Sequence, residues 1–548
     1  MRFVAYDEAA GLNWWETDPN LQQVVARYCD PASLDWATPH LVRFGQLCGA
    51  QLAPRADYTD KVEGRPRLVA YNRQGEEISQ VVYNPGYLQT VADAYGAGIV
   101  AWRHITPEGA PGKVPPVVTW AMGYMVAMAE TGFYCPVALT GSAALAVDRF
   151  APPELRERYL PGLIATDPAK LTQGATWLTE KTGGSDVGAI TTVAHQVDGV
   201  WRLTGEKWFA SNADAPVALA LARPEGAPAG TAGLALFLVP RILPDGRRNA
   251  YRIRRLKEKL GVIAVPSGEV LLEGAEAYLI GEPGKGFKMM MEAINLSRVY
   301  NAIGSCGVAR RAFLESIIYT SKRVAFGRPV AEHPLMRSKL LGMLVDLEAA
   351  TALAFRAADC YEKGEPLHRL LIPVAKARTA EVALQTARAA IECLGGNGYI
   401  EEYVTPRLLR DAQVLTVWEG PEHILALDAL RVLAKEGPGA LLAEVGQRLE
   451  RAQGVAPEAV ALAQQQVAGL IRRMEEAATA APEQAQLHAL RIIRQMADLL
   501  SAAYLLEEAT DGPARKAEIA HLFLRRHQPG GESTWDRAVL ERFEALVQ

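Results

Sequence analysis

Between residues 171 and 286 the chain is written in short β-rich runs separated by Gly and Asn: GATWLTE, TVAHQVDGVWRLTG, EKWFASNA, PVALALAR, GLALFLVPR and SGEVLLE. On both sides the pattern is helical. Upstream, VVTWAMGYMVAMAE, GSAALAVDRF and PELRERYLPGLI read as about two or three core helices. Downstream, a periodic stretch starts at Lys288, and RSKLLGMLVDLEAATALAFRAADCYEK, VAKARTAEVALQTARAAIECLGG and LALDALRVL follow as a bundle. Patterns of period 2 and period 3.6 bury apolar residues on different geometries, so neither can stand in for the other. The fold class expected is α+β, mainly α: an N-terminal helical domain, a central β-domain of about six to eight strands, and a C-terminal helical bundle. GPG at 437–439 marks one more boundary, and residues 441–548 read as a separate helical domain. The expected domains are therefore 1–170, 171–286, 287–436 and 437–548.

With 548 residues there is ample chain for large cores, and apolar content of 49% with 22% charge excludes wholesale disorder. No apolar run reaches the length of about 20 residues that spans a membrane. The net charge of −4 gives no electrostatic case for nucleic-acid binding by the protein as a whole. Cys29, Cys48, Cys135, Cys306, Cys360 and Cys393 are scattered without CxxC or metal-ligand spacing, which suits buried thiols in a reducing interior and no metal. The opening MRFVAYDEAAGLNWW carries acids and lacks an apolar h-region, so no signal peptide is expected and the chain reads as cytoplasmic. Asn20 and Ser33 are the expected caps of the first helices. Trp14 and Trp15 are either a ligand clamp or, more in keeping with the rarity of exposed tryptophan pairs, an anchor for an N-terminal arm.

The strongest chemical signal is Asp411–Ile424, DAQVLTVWEGPEHI. An apolar run (Val414, Leu415, Val417, Trp418) delivers one carboxylate, Glu419, to a Gly-Pro break. Desolvation raises a carboxylate's basicity, which makes Glu419 a candidate general base. The alternative is that Glu419 opens the next helix, where acids favour the N-terminus. Upstream, TWLTEKTGGSD (176–186) sets Thr179 beside a glycine turn closing on Ser185, the kind of backbone that approaches a pyrophosphate closely. KRVAFGRPV (322–330) supplies Arg323, whose forked permanent charge suits a phosphate.

LGGNGY, then R-D-A, then an aromatic-Glu-Gly, together with these upstream segments, resembles the acyl-CoA dehydrogenase family, flavoenzymes that remove hydrogens from Cα and Cβ of an acyl thioester. The resemblance covers roughly residues 100–435. It implies FAD as cofactor, held by Trp177, Leu178, Thr179, Gly184 and Ser185, with Phe209 and Ser211 of GEKWFASNA flanking the flavin ring. Arg323 and Phe326 of the family's Arg-x-x-Phe-Gly motif, and Gly395 and Gly396, are implied at the pyrophosphate and adenine end, contributed by a neighbouring subunit. Glu419 matches the family base, with Trp418, Gly420 and His423 around it. Some relatives place the base earlier, at the position held here by Ser297. Two departures stand out at the adenine end. Pro334 replaces one glutamine and Glu392 another.

LPDGRRNAYRIRRLKEKLG (243–261), EHPLMR (332–337), EEYVTPRLLRD and the extra helices resemble the alkylation-response, or AidB, branch of that family. That branch implies a homotetramer, weak dehydrogenase activity towards acyl-CoA, and double-stranded DNA bound through the C-terminal domain; the sequence leaves two electron acceptors open, electron-transfer flavoprotein and oxygen. Residues 441–548 hold 12 Lys and Arg against 15 Asp and Glu, net −3, where nucleic-acid domains are basic. Its arginines are clustered, at Arg472-Arg473, Arg491 and Arg494, Arg515-Lys516 and Arg525-Arg526, and each cluster is either a phosphate contact or a solvated helix face. A plain acyl-CoA dehydrogenase with an added oligomerisation domain is the other reading.

Overall fold

The computed structural model describes residues 8–527 and 532–547, so the first seven residues of the opening stretch lie outside the described residues. Helices α1 (Pro19–Tyr28) and α2 (Pro31–Leu47) both begin on proline, whose missing N–H is harmless at a first helical position. The residue before each proline must then serve as the cap. Asp18 accepts from the Leu21 N–H and Asp30 from the Ser33 N–H, so the caps are these aspartates and not Asn20 and Ser33. Trp14 and Trp15 are buried; the Trp14 indole donates to the Ala9 carbonyl at 2.8 Å, and the Arg311 guanidinium lies 4.8 Å from its ring. The pair anchors the arm.

Next come α3 (Ala53–Asp60), a hairpin of β1 (Arg67–Tyr71) and β2 (Glu77–Val82), and α4 (Pro85–Gly96), then α5 (Pro116–Ala129), α6 (Thr131–Phe150) and α7 (Pro153–Leu163). Met122, Met125 and Met128 of α5 are core residues. The β-domain follows as β3 (Gly174–Trp177), β4 (Val193–Val197), β5 (Val200–Ser211), β6 (Val217–Pro224), β7 (Ala235–Pro240), β8 (Tyr251–Leu256) and β9 (Ser267–Ile280). β6 pairs with β4, β4 with β5, β5 with β9, β9 with β7, and β7 again with β6, which closes a barrel. β3 runs parallel to the first half of β6, and β8 lies on β9.

The unbroken apolar runs of β6 and β7 now have a reason. Ala218, Ala220 and Ala222, with Phe237 and Val239, join one core with Trp177, Leu203 and Leu272. Their alternates Leu219, Leu221, Leu236 and Leu238 join a second core with Val147, Leu163 and Met290 from the helices. Strands buried on both faces have no polar alternation to show.

The helices resume with α8 (Gly286–Lys322), a small hairpin of β10 (Val324–Ala325) and β11 (Arg328–Pro329), α9 (Pro334–Glu362), α10 (His368–Leu394), α11 (Thr405–Leu415) and α12 (Glu422–Glu436). α13 (Gly439–Ala452), α14 (Pro457–Thr479), α15 (Pro482–Asp511) and α16 (Arg515–Arg526) follow the GPG sequence. Two compact units emerge, neither contiguous in sequence. One comprises Met1–Ala50, Pro116–Met128 and Asn301–Gln548; the other, which holds the barrel, comprises Gln51–Pro115 and Ala129–Tyr300.

The helices after Gly437 therefore share a unit with α9–α12 and do not stand apart. Gly437 at φ +74 ends α12, but packing continues across it. Arg515 and Lys516 reach Glu348 on α9 at 2.6 and 2.9 Å, and Arg356 of α9 meets Glu444 of α13 at 3.0 Å. A Pro-Gly break in sequence marked a helix end, not a gap in the core. Among the described residues no helix is long and apolar enough to cross a membrane, and no group of three His, Cys, Asp or Glu side chains could hold a metal. All six cysteines are free thiols.

Candidate active site

The Glu419 turn is built by the end of one helix and the delayed start of the next. α11 stops at Leu415, the Val414 carbonyl accepts from the Val417 and Trp418 N–H groups, and Pro421 is the N-cap of α12. Glu419 thus lies outside α12, whose first-turn acid is Glu422. The helix-opener alternative fails. Glu419 is half-buried at φ +55, followed by Gly420 at φ +101. Left-handed backbone under a side chain costs on the order of 1–3 kcal/mol, and such strain collects at functional positions. The Gly420 carbonyl accepts from the ammonium of Lys376, a buried residue of α10, at 2.7 Å. Lys376 escaped the sequence reading because a lysine amid helical spacing looks like a solvated face. Trp418 is half-buried, and its indole N–H is buried without a hydrogen-bond partner. His423 is exposed on the first turn of α12. Ser297 is buried on α8.

On the barrel, the Thr179 carbonyl accepts from the Trp208 N–H at 2.9 Å, which fastens the turn at 179–185 to β5. Thr179 is half-buried, and Gly184 and Ser185 are exposed. A Cβ on Gly184 would stand 3.4 Å from the Thr179 methyl. The Phe209 ring is 56% exposed, and Ser211 shares a 3.0 Å hydrogen bond with Ser267. Trp208 is no core residue: Lys257 lies 3.1 Å and Lys181 4.4 Å from its ring. Leu178 packs against the core between barrel and helices. Trp177 is available to a cofactor through its backbone alone. Its side chain has no exposed surface and stands edge-on to Tyr251 inside the barrel, so only its backbone is near the turn.

Phe326 and Gly327 form the two-residue tip of the β10–β11 hairpin, at φ +51 and +82, a turn that suits the strand twist. The phenyl ring is 96% exposed. Arg323 is exposed and starts the hairpin, exchanging backbone bonds with Tyr319 and Val330. Gly395 (φ +63) and Gly396 have open space where a Cβ would sit. The departures at this end are accommodated. Pro334 is the first residue of α9, and a hydrogen bond from Lys339 holds the Glu392 carboxyl below the ordinary range, with Arg388 3.4 Å away.

The C-terminal arginines mostly serve the fold. Arg515 is half-buried and tied to Glu348 and to the Leu546 carbonyl, and Lys516 is buried between Glu348 and Glu508. Arg494 makes two bonds, of 2.7 and 2.6 Å, to Glu422. Arg526 faces Asp346 at 3.3 Å, Arg473 bonds Gln495, and Arg525 bonds His521. Arg472 and Arg491 stay exposed.

Residues 284–434 match the family model "Acyl-CoA dehydrogenase, C-terminal domain", residues 175–275 the "Acyl-CoA dehydrogenase, middle domain", and residues 6–167 the "Adaptive response protein AidB N-terminal domain". AidB of Escherichia coli (strain K12) is 34% identical over 418 residues, 73% of this chain and 75% of that protein. The chain belongs to the acyl-CoA dehydrogenase family, in its AidB branch. It is an oxidoreductase of the acyl-CoA dehydrogenase type. Acyl-CoA dehydrogenase family member 11 of Caenorhabditis elegans is also 34% identical, over 442 residues, 75% of this chain and 71% of that protein. The solved structure of C. elegans ACDH-11 in complex with C11-CoA superposes with a TM-score of 0.88 at 27% identity, covering 98% of this chain and 96% of that one.

The residues present fit a flavin. The exposed rings of Phe209 and Phe326 offer apolar surface, Lys257 lies 5.1 Å from the Phe209 ring, and open space where a Cβ would sit on Gly395 and Gly396 lets a phosphate approach that backbone closely. Phe326 and Glu419 are two of the six side-chain-bearing residues at positive φ among the described residues.

Proposed function

We propose that this chain is an FAD-dependent acyl-CoA dehydrogenase in which Glu419 takes the proton from Cα of the acyl thioester. Glu419 carries the reading: a single carboxylate on strained backbone, between an apolar run and a Gly-Pro break, with the next carbonyl clamped by buried Lys376. Bound flavin supplies the acceptor for the hydride that leaves Cβ. The chain's own groups do the remainder. Thr179, Gly184, Ser185 and Ser211 offer donors to the ring and diphosphate, Phe209 lies along the ring, and Trp418 directly precedes the carboxylate.

Arg323, Phe326, Gly395 and Gly396 project outward and serve the cofactor of a neighbouring copy, which makes the protein a homo-oligomer, in our reading a tetramer. We assign it to the cytoplasm, with electron-transfer flavoprotein as an acceptor. The AidB-type N-terminal segment favours a second layer, in which the protein joins the adaptive response to DNA alkylation, associates with double-stranded DNA and keeps only weak dehydrogenase activity.

The test is an anaerobic titration of the purified yellow protein with acyl-CoAs of graded chain length, bracketing the C11 chain held by the C. elegans relative. The visible absorbance of the oxidised flavin should bleach. A colourless protein that cannot be reconstituted with FAD would end the reading.

A further inference from the structure

The barrel wall that carries Thr179 and Phe209 is built around a charge pair sealed from solvent. Lys207, on β5, has no exposed surface; its ammonium donates to Glu180 Oε1 at 2.6 Å and to the Leu221 carbonyl at 2.8 Å. Glu180 is also buried. Its Oε2 accepts from the Thr191 N–H at 2.6 Å and the Thr191 hydroxyl at 2.9 Å. Oε1 accepts from the Thr192 hydroxyl at 2.5 Å, and the Thr192 N–H lies 3.3 Å from both oxygens. Burial opposes the charge on Glu180, but Lys207 and the threonine donors outweigh it, and the carboxyl sits below its ordinary range. Burial pulls the Lys207 ammonium below its ordinary range against the pull of Glu180, and the 2.6 Å contact with the carboxylate and the 2.8 Å bond to the Leu221 carbonyl hold the two side chains together.

Stability alone does not call for such a pair, because well-packed apolar residues of equal volume do as well or better. The cluster next to it is Ala, Leu, Val and Phe, where an apolar pair would be at home. Its distinguishing property is its neighbours. Glu180 directly follows Thr179 and closes the turn through the Glu180 N–H to the Gly183 carbonyl (2.9 Å) and the reverse bond (3.2 Å). Lys207 precedes Trp208, whose N–H holds the Thr179 carbonyl, and Phe209 comes next. Ion pair and backbone bond are two rungs joining the turn to β5, and Thr191 and Thr192 brace them from the far side.

We propose that Glu180 and Lys207 are a positioning pair that locks the turn at 179–185 against β5, so that Thr179 and Phe209 meet the flavin in one fixed geometry. The inference rests on the FAD reading above. It needs no contact between either charged group and the cofactor.

Test it on the flavin-loaded full chain with the apolar double replacement E180L/K207M and the charge-keeping K207R. The double variant should melt within a few degrees of the parent while its FAD dissociation constant rises by about 10-fold or more, the low end for groups that support a ligand site from behind. Its bound flavin should change in visible absorbance and visible circular dichroism, and K207R should restore the parental spectrum. T192V, which removes one hydroxyl donor from Glu180, covers the case in which the double variant does not fold; it should keep the parental melting point and weaken FAD about two- to five-fold. Parental FAD affinity and spectrum in whichever of these variants folds would overturn the positioning role. So would FAD loss that only tracks loss of folded protein. A parent that never takes up FAD would instead defeat the reading beneath it.

Discussion

In the turn at Thr416–Gly420 a carboxylate is held half-open to solvent on left-handed backbone, and a buried lysine grips the chain beside it. In the helices after Gly437 the charges face the other way. Arg448, Arg451, Arg494, Arg515, Lys516, Arg526 and Arg542 each meet a carboxylate. The first region incurs strain to present one group; the second uses its charges to hold helices to one another. Clustered like charges on packed helices find partners, so a run of arginines is a weak sign of a binding surface.

The contrast breaks first, and most heavily, at Lys516. Lys516→Met leaves Glu348 buried with Arg515 as its remaining counter-charge, and breaking a buried pair costs about 3–5 kcal/mol. Urea unfolding should show that loss in a single transition spanning α9 and the later helices. A variant whose bulk transition is unmoved, with only a minor early phase, would restore residues 437–548 to the status of a separate domain.

The same cluster sets an acid limit. Burial alone would raise the Glu348 carboxyl, yet Lys516 and Arg515 bring it down to about 2. The folded state then binds that proton more weakly than the unfolded chain, whose value is about 4.3. The contribution, on the order of 3 kcal/mol, is whole above pH 4.3 and disappears as the pH falls towards 2. Glu348→Gln should flatten this part of the melting-temperature profile. A parent and variant with parallel profiles between pH 5 and about 2 would show that the pair does not anchor the fold.

Third in size is the base itself. Glu419→Gln keeps shape and removes basicity, so flavin reduction by acyl-CoA should fall at least about 10²-fold, near 2.7 kcal/mol, with FAD content and melting point unchanged. Stopped-flow reduction rates equal to the parent's would move the proton abstraction elsewhere.

How far this was readable from sequence depends on the distance between partners. The helix–strand–helix order and the isolated Glu419 are local signals, and local signals survive. Asp18 and Asp30 as caps are local signals too, because proline at the first helical position makes the residue before it the cap. Lys376 with Gly420 is separated by 44 residues, Lys207 with Glu180 by 27 and Arg515 with Glu348 by 167. None of these pairs has a periodicity to betray it. Barrel closure through β6 and β7 likewise depends on pairings that no single window contains. At Trp177 motif and strand separate: the motif sets its backbone beside the turn at 179–185, while strand alternation sends its side chain into the barrel.

The smallest effect concerns DNA, and it sharpens the comparison by asking what charge is left over. Arg472 and Arg491 are exposed outside the ion pairs of the described residues, whereas Arg494 and Arg526, also exposed, meet Glu422 and Asp346, and Arg525 bonds His521. Two or so phosphate contacts per chain make binding weak, tolerant of sequence, and steep in salt by about 0.9 log units per phosphate neutralised. The full-length protein should retard duplex DNA at low salt, and R472E/R491E should lower the salt slope by about 2 per chain engaged. Arg525-Arg526 reversed to Glu should remove part of the binding. Arg494→Ala is the control: its bidentate partner is Glu422, so it should cost up to about 1 kcal/mol of stability and leave the gel shift alone. Truncation after Gly439 is a poor test, since it would strip α9 of the partners of Glu348 and Arg356. No retardation of duplex by the intact oligomer at low salt would remove the DNA layer and leave the dehydrogenase reading standing by itself.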